Sequence, residues 1–342
     1  MIPPPVRFAA IGLNHGHIYD QVNLLLRAGA ELAGYFAPEP TLAAEFGRTF
    51  PAARLAPSAE ALLEDEAIQL IVTAGIPAER AALGLRAMKH GKDVMSDKPG
   101  FTTLEQLAQA RQAQAATGRI YSVCFSERFE NRATVRAAAL ARGGALGRVV
   151  QTIGLGPHRA NLGQRPEWFF RRAAYGGILV DIGAHQADQF LAFTGSTAAE
   201  VVTAQVGNFG HPQHPELEDF GDMLFRSADA SGYARVDWYT PGGLETWGDG
   251  RLFVLGTEGY LEVRKNVDVG GQPGGDHLVW VDGAGPHVED CRAGDLPYGR
   301  QLLADIRERS ETAMPQAHCF LACELALKAQ ASAARLGHLQ PD

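Results

Sequence analysis

Three stretches of the chain combine residue types that can move a proton or hold a phosphate. In Ser96-Asp97-Lys98-Pro99-Gly100 a lysine follows an apolar run. Beside a redox cofactor such a lysine stabilises an alkoxide, or gives up a proton where burial lowers its pKa. In Gly176-Gly177-Ile178-Leu179-Val180-Asp181-Ile182-Gly183-Ala184-His185-Gln186-Ala187-Asp188, the residues Asp181, His185 and Asp188 stand at i, i+4 and i+7. On a helix those positions share one face. An acid one turn before a histidine orients the ring and supports its cation, and histidine is the side chain best tuned to proton transfer near neutral pH. In Gly12-Leu13-Asn14-His15-Gly16-His17 a glycine turn follows the apolar run Val6–Ile11. Glycine there lets backbone N–H groups approach a pyrophosphate, and the following helix adds its positive end. Only Gly12 satisfies the G-x-G-x-x-G spacing. Asn14, which tolerates the left-handed backbone, and His17 take the other two glycine places. Neither His15 nor His17 has an obvious carboxylate or cysteine partner nearby, so no metal is expected. Singly, each stretch also reads as ordinary structure: a strand-to-helix turn, a solvated lysine, a surface Asp–His pair.

The elements that must carry these stretches follow from periodicity. Apolar runs at Val6–Ile11, Glu31–Phe36, Ala67–Ala74, Asp93–Ser96 and Ile120–Phe125 alternate with helical patterns. The near-continuous apolar character of Ala67–Ala74 suits a parallel strand covered on both faces. Gly29, Pro51 and Gly91 stop helices, and Thr103 with Gln106 forms a capping box ahead of another. The alternation predicts an α/β doubly wound parallel sheet over residues 1–125. Ligands of such sheets bind beyond the carboxyl ends of the strands, where Gly12 and Lys98 fall. The spacing then predicts a helix over 130–142, a strand over 149–154 and a helix over 179–193. From 201 to 291 the pattern becomes strand, turn, strand, as in a largely antiparallel open sheet. A second, α+β domain is therefore expected over 126–342, closed by an Ala-rich helix over 316–336 that is expected to pack back on the first domain.

Composition removes several function classes. Against 39 acidic residues the chain has 31 Lys and Arg, a net charge of −8, which argues against a nucleic-acid binder. No segment reads as membrane-spanning or as a signal peptide, and the four cysteines are too scattered for a disulfide framework. A cytoplasmic protein is expected. The 39 glycines among 342 residues exceed the usual share of ~7% and point to tight turns or close backbone approach.

Taken together, the Gly12 turn, the Asp97-Lys98-Pro99 tripeptide and the GGILVDIGAHQADQF stretch resemble the Gfo/Idh/MocA oxidoreductases, the glucose–fructose oxidoreductase and inositol dehydrogenase group. The resemblance runs over nearly the whole chain. It implies a nicotinamide-binding Rossmann domain and a second domain whose open sheet often forms the oligomer interface, hence a homodimer or homotetramer. It gives Lys98, Asp181 and His185 the catalytic roles, acting on a secondary alcohol of a sugar, inositol or polyol. It implies cofactor contacts from Gly12, Leu13, Asn14, His15, Gly16 and His17, and from Ala37 at the end of the second strand. The loop Ala74-Gly75-Ile76-Pro77, with Asp97, Lys98 and Ser126, lies toward the nicotinamide. Asp97 stands where the family has Glu, and Ser126 where Asn is common. Glu39 is the carboxylate nearest the ribose position and no Lys or Arg follows before Arg48, so NAD is favoured over NADP. His158, Arg159 and Trp168 are candidate substrate contacts. Relatives that retain the dinucleotide for glycoside cleavage or sugar isomerisation, and dinucleotide-dependent regulators, are the alternatives.

Overall fold

The computed structural model describes residues 4–337. By density of internal contacts the chain divides into two units, one of Met1–Cys124 with Pro297–Phe320, the other of Phe125–Leu296 with Leu321–Asp342.

The first unit is built on six parallel strands: β1 (Arg7–Ile11), β2 (Glu31–Phe36), β3 (Arg54–Leu55), β4 (Leu70–Thr73), β5 (Asp93–Asp97) and β6 (Tyr121–Cys124). Their order across the sheet is β3-β2-β1-β4-β5-β6, the doubly wound arrangement. The order reverses between β1 and β4, which places the Gly12 turn and the Ala74–Pro77 loop side by side at the switch point. Every residue of β4, β5 and β6 is buried, as the apolar runs required of strands covered on both faces. After β1 the helix His17–Arg27 sinks Ile18, Val22 and Leu25 into the core and stops at Gly29, whose φ is +89°. The Thr103 cap forms, its Oγ1 accepting from Gln106 N at 3.2 Å. The Gln106 side chain reaches one residue further back than a capping box predicts, accepting from Thr102 N at 2.8 Å. Two elements had no signal in the periodicity: the two-residue edge strand β3 and the short helix Ala59–Leu63.

The second unit contains β7 (Val149–Pro157), β8 (Glu200–Gly207), β9 (Phe220–Arg226), β10 (Ser231–Asp237), β11 (Arg251–Gly256), β12 (Tyr260–Arg264), β13 (His277–Asp282), β14 (Gly285–Asp290) and β15 (Ala334–Arg335). They form one sheet in the order β14-β13-β12-β11-β7-β10-β9-β8-β15. Pairing is antiparallel except for β7 with β10 and β8 with β15. The two faces of this sheet differ sharply. One register row runs Ala204, Met223, Ala234, Gly154, Leu252, Val263, Leu278, and all seven are buried. The helix Gly183–Thr194 packs on this side, where Gly154 leaves room for Gln186. The adjacent row, Thr203, Leu224, Tyr233, Ile153, Phe253, Glu262, Val279, Val288, carries six apolar or aromatic residues around the ion-paired Glu262, and none of its members is buried.

Two helix boundaries differ from expectation. The helix expected over 179–193 is broken into Ile178–Asp181 and Gly183–Thr194, with Ile182 as the joint. The helix expected over 316–336 ends at Ser332, and Ala334–Arg335 turn into β15 beside Gln205 and Val206. Its first turn, to Phe320, clusters with the first unit, and the remainder with the second.

Candidate functional site

In the first unit the loops after β1, β4 and β5 carry the cradle. Gly12 has φ +78°, and a Cβ there would lie 3.1 Å from Gly75 Cα and 3.1 Å from Thr73 Oγ1. The two loops are stitched together by His15 N donating to Ala74 O at 2.8 Å and Ala74 N donating to Gly12 O at 3.1 Å. Only glycine fits position 12, whereas a Cβ at Gly16 would meet nothing within 4 Å. Leu13 and Ala37 are buried. Asn14 Nδ2 donates to Glu39 Oε1 at 2.8 Å, and Glu39 Oε2 is buried with no hydrogen-bond partner among the described residues. A carboxylate oxygen left open at the end of β2 fits the hydroxyls of an adenosine ribose. The Gly12 cradle and this open acceptor both suit a dinucleotide.

The expectation that His15 and His17 have no carboxylate near them is overturned. Sequence distance hid Asp97, whose carboxylate lies 3.0 Å from His17 Nδ1 and 3.7 Å from His15 Nδ1. The fold brings the end of β5 beside the turn after β1. Burial alone would raise the Asp97 pKa, but the charges of His17 and Arg80 outweigh it and hold the carboxyl well below its usual range. His15 is shifted well down, first by burial and then by the charge of His17, so it is neutral at pH 7. That agrees with its Nδ1 accepting the His17 backbone N–H at 3.2 Å, which an imidazolium cannot do. Ligand atoms of His15, His17 and Asp97 lie within 4.8 Å of one another, close enough to meet at one cation. The same carboxylate already faces the Arg80 guanidinium at 3.1 Å. Lys98, next in the chain, is buried. Arg80, on the helix Pro77–Lys89, gave no signal in sequence because a lone arginine on a helix usually reads as solvated surface.

In the second unit His185 is buried in the first turn of Gly183–Thr194, its ring edge-on to Phe125. Asp181 closes the preceding short helix, so the pair spans a joint rather than a single helix, and Asp181 stays half-buried. Asp188, expected on the same face, is engaged elsewhere: Arg128 grips it with two bonds of 2.7 Å. Within the field of His185 lies the buried carboxylate of Glu127. Its Oε2 accepts from Lys265 Nζ at 2.5 Å, Gln186 Nε2 at 2.9 Å and Gln189 Nε2 at 3.2 Å. Burial pushes the Glu127 pKa up, but Lys265, followed by His185 and His158, pulls it far lower, so a fixed negative charge lies within the field of His185.

The remaining candidates divide. His158 sits at the end of β7, its ring 4.3 Å from that of Trp247 and 5.5 Å from that of Trp238. Arg159 turns its guanidinium into the loop of residues 241–246, bonding the carbonyls of Pro241, Leu244 and Thr246. That is a loop brace, so its expected role toward substrate finds no support in its contacts. Trp168 is half-buried and edge-on to Phe169 in a 3-10 turn. Arg165, not singled out in sequence, packs over Phe169 and Trp238 and lies within the field of Asp181. Gly75, Ile76 and Pro77 lead into the Arg80 helix, while Ser126 opens the short helix Ser126–Phe129 of the second unit.

Comparison with known proteins agrees with this picture. Residues 6–125 match a family described as oxidoreductase, NAD-binding Rossmann fold, and residues 134–262 match the GFO/IDH/MocA C-terminal domain. A crystal structure provisionally named an oxidoreductase, from Erwinia carotovora atroseptica SCRI1043, is 48% identical with a TM-score of 0.94, over 97% of this chain and 100% of that one. The scyllo-inositol 2-dehydrogenase (NAD(+)) of Bacillus subtilis strain 168 is 26% identical over 263 residues, 75% of this chain and 73% of its own. A levoglucosan dehydrogenase in complex with NADH and levoglucosan shares the fold, with a TM-score of 0.83 at 16% identity over 96% and 97% of the two chains. The chain belongs to the Gfo/Idh/MocA family of NAD(P)-binding oxidoreductases.

Proposed function

We propose that the protein oxidises a secondary alcohol of a sugar, inositol or related polyol, with NAD as the favoured acceptor. The observation that carries this reading is the buried Lys98 on the loop that adjoins the dinucleotide cradle. When bound, NAD would supply the acceptor for the hydride that the carbinol carbon gives up on becoming a carbonyl. Lys98 stabilises the developing alkoxide, His185 takes the hydroxyl proton, and Asp181 keeps hydroxyl and imidazole in register. General base catalysis of this kind contributes ~10²–10⁴-fold. The open Oε2 of Glu39 supports NAD, because a 2′-phosphate would meet a carboxylate there. The Bacillus relative is named for NAD, and the levoglucosan dehydrogenase was solved with NADH.

The test is a panel of sugars and inositols incubated with excess NAD or NADP while reduced nicotinamide absorbance is followed. Signal beyond one equivalent per enzyme supports a dehydrogenase. Conversion of the sugar without that signal favours internal redox recycling, as in glycoside cleavage or isomerisation. Absence of both, with dinucleotide bound, favours a regulator. The apolar residues left unburied on the second sheet, among them Leu224, Tyr233, Phe253 and Val288, support a homodimer or homotetramer formed through that face. No helix among the described residues is long and apolar enough to cross a membrane.

A further inference from the structure

The side chain of Arg80 is completely buried, bonded to backbone carbonyls of two loops and facing the Asp97 carboxylate. Its Nε donates to Gly75 O at 2.7 Å. Its Nη1 donates to Lys98 O at 2.5 Å and to Pro99 O at 3.2 Å, and its Nη2 faces Asp97 Oδ2 at 3.1 Å. These acceptors belong to the loops after β4 and β5. Asp97 passes the connection to the loop after β1, through His17 Nδ1. One guanidinium and one carboxylate thus join three strand-end loops.

The position of this knot matters for Lys98. β5 is held by β4 as far as Ser96, which pairs with Thr73, and by β6 as far as Asp97, which pairs with Cys124. Past Asp97 the ladder stops, and Pro99 has no N–H to give. The carbonyls of Lys98 and Pro99 turn instead to Arg80. A planar guanidinium reaches these diverging acceptors at once, which a lysine cannot.

We infer that Arg80, anchored by Asp97, is the positioning residue that sets where Lys98 stands beside the dinucleotide cradle. The inference rests on the reading of Lys98 as the alkoxide partner, but its test does not. The amine of Lys98 is labelled with acetic anhydride under competitive conditions, without cofactor, and quantified by peptide mass spectrometry, with exposed Lys89 as internal standard. Arg80→Lys keeps a charge for Asp97 but loses the fork. Loosening that packed loop is expected to raise the relative labelling of Lys98 about fivefold or more. Asp97→Asn keeps the shape and is expected to raise it by less. Thermal melts establish that each variant is folded, and calorimetry with NAD establishes that Arg80→Lys still binds the dinucleotide. With a turned-over polyol, kcat is expected to fall on the order of 10²-fold in Arg80→Lys while KM changes little, the signature of a misplaced catalytic group. Lys98 labelling unchanged within about twofold, in whichever variant folds, overturns the inference. Full turnover in Lys98→Ala alongside altered labelling in Arg80→Lys would remove the catalytic reading of Lys98 and leave the positioning intact.

Discussion

Gly12 cannot be exchanged, because its φ of +78° and the closeness of Gly75 leave no place for a side chain. Gly12→Ala is expected to cost about 1–2 kcal/mol in backbone strain alone and to weaken dinucleotide binding, read by denaturation and by calorimetric titration. Gly16→Ala, where a Cβ meets nothing, is expected to do neither. Lys98→Ala and His185→Ala are each expected to remove most turnover while leaving dinucleotide affinity largely intact; near-normal rates in either would sink its catalytic role. Glu39→Gln is expected to narrow the preference for NAD over NADP, measured as the ratio of the two dissociation constants. His15 gives a pH dependence with a definite sign. Its folded pKa lies below the unfolded value of about 6.5, so below that pH the unfolded chain binds a proton that the folded chain refuses. Stability must then fall on acidification through this range. His15→Asn is expected to flatten the drop in melting temperature between about pH 6.5 and 5.5; an equal drop in both proteins would refute the assignment.

At the scale of elements, what the sequence made legible was whatever periodicity controls. The parallel strands, their intervening helices and the change to an antiparallel pattern follow from apolar spacing, and the glycine turn and D-K-P loop follow from their places at strand ends. Pairings that join residues far apart in sequence were not legible. His17 with Asp97 spans 80 positions, Glu127 with Lys265 spans 138, and each partner alone reads as a surface charge. The helix break at Ile182 was hidden because Asp181, His185 and Asp188 fit one helical face equally well on either side of a joint. Lys265→Met would leave the Glu127 carboxylate buried without its counter-charge, at an expected cost of about 3–5 kcal/mol. Because Glu127 also acts on His185, that variant is expected to move the pH–rate profile as well. Glu127→Gln with Lys265→Met, which removes both charges, is expected to recover much of the stability but not the profile.

For the whole molecule, a net charge of −8 suits a neutral polyol better than a polyanion. The two rows of the nine-stranded sheet describe a surface with one face consumed by its own core and the other a mixture of apolar and ion-paired residues left unburied. Light scattering is expected to give a mass of two or four chains. Leu255, 45% exposed, and Tyr233, 36% exposed, belong to that uncovered face. Leu255→Glu with Tyr233→Glu is expected to shift the protein to monomer without unfolding it; an unchanged mass would place the interface elsewhere.

The return of Pro297–Phe320 to the first unit has a consequence for how the chain is made. Gln316 Oε1 accepts from Tyr121 N at 2.7 Å, the Tyr298 hydroxyl meets Ser122 Oγ at 2.7 Å, and Arg309 clamps Asp93 at 2.9 and 2.7 Å. These bonds finish β5 and β6, the strands that present Lys98. A ribosome must therefore deliver β7 to β14 of the second sheet before the Rossmann unit can close its last two strands. The half that holds the dinucleotide is begun first and completed nearly last. A fragment ending at residue 125 is accordingly expected to be loose at β5 and β6, with rapid amide exchange there, and to regain protection when a peptide of residues 297–320 is added.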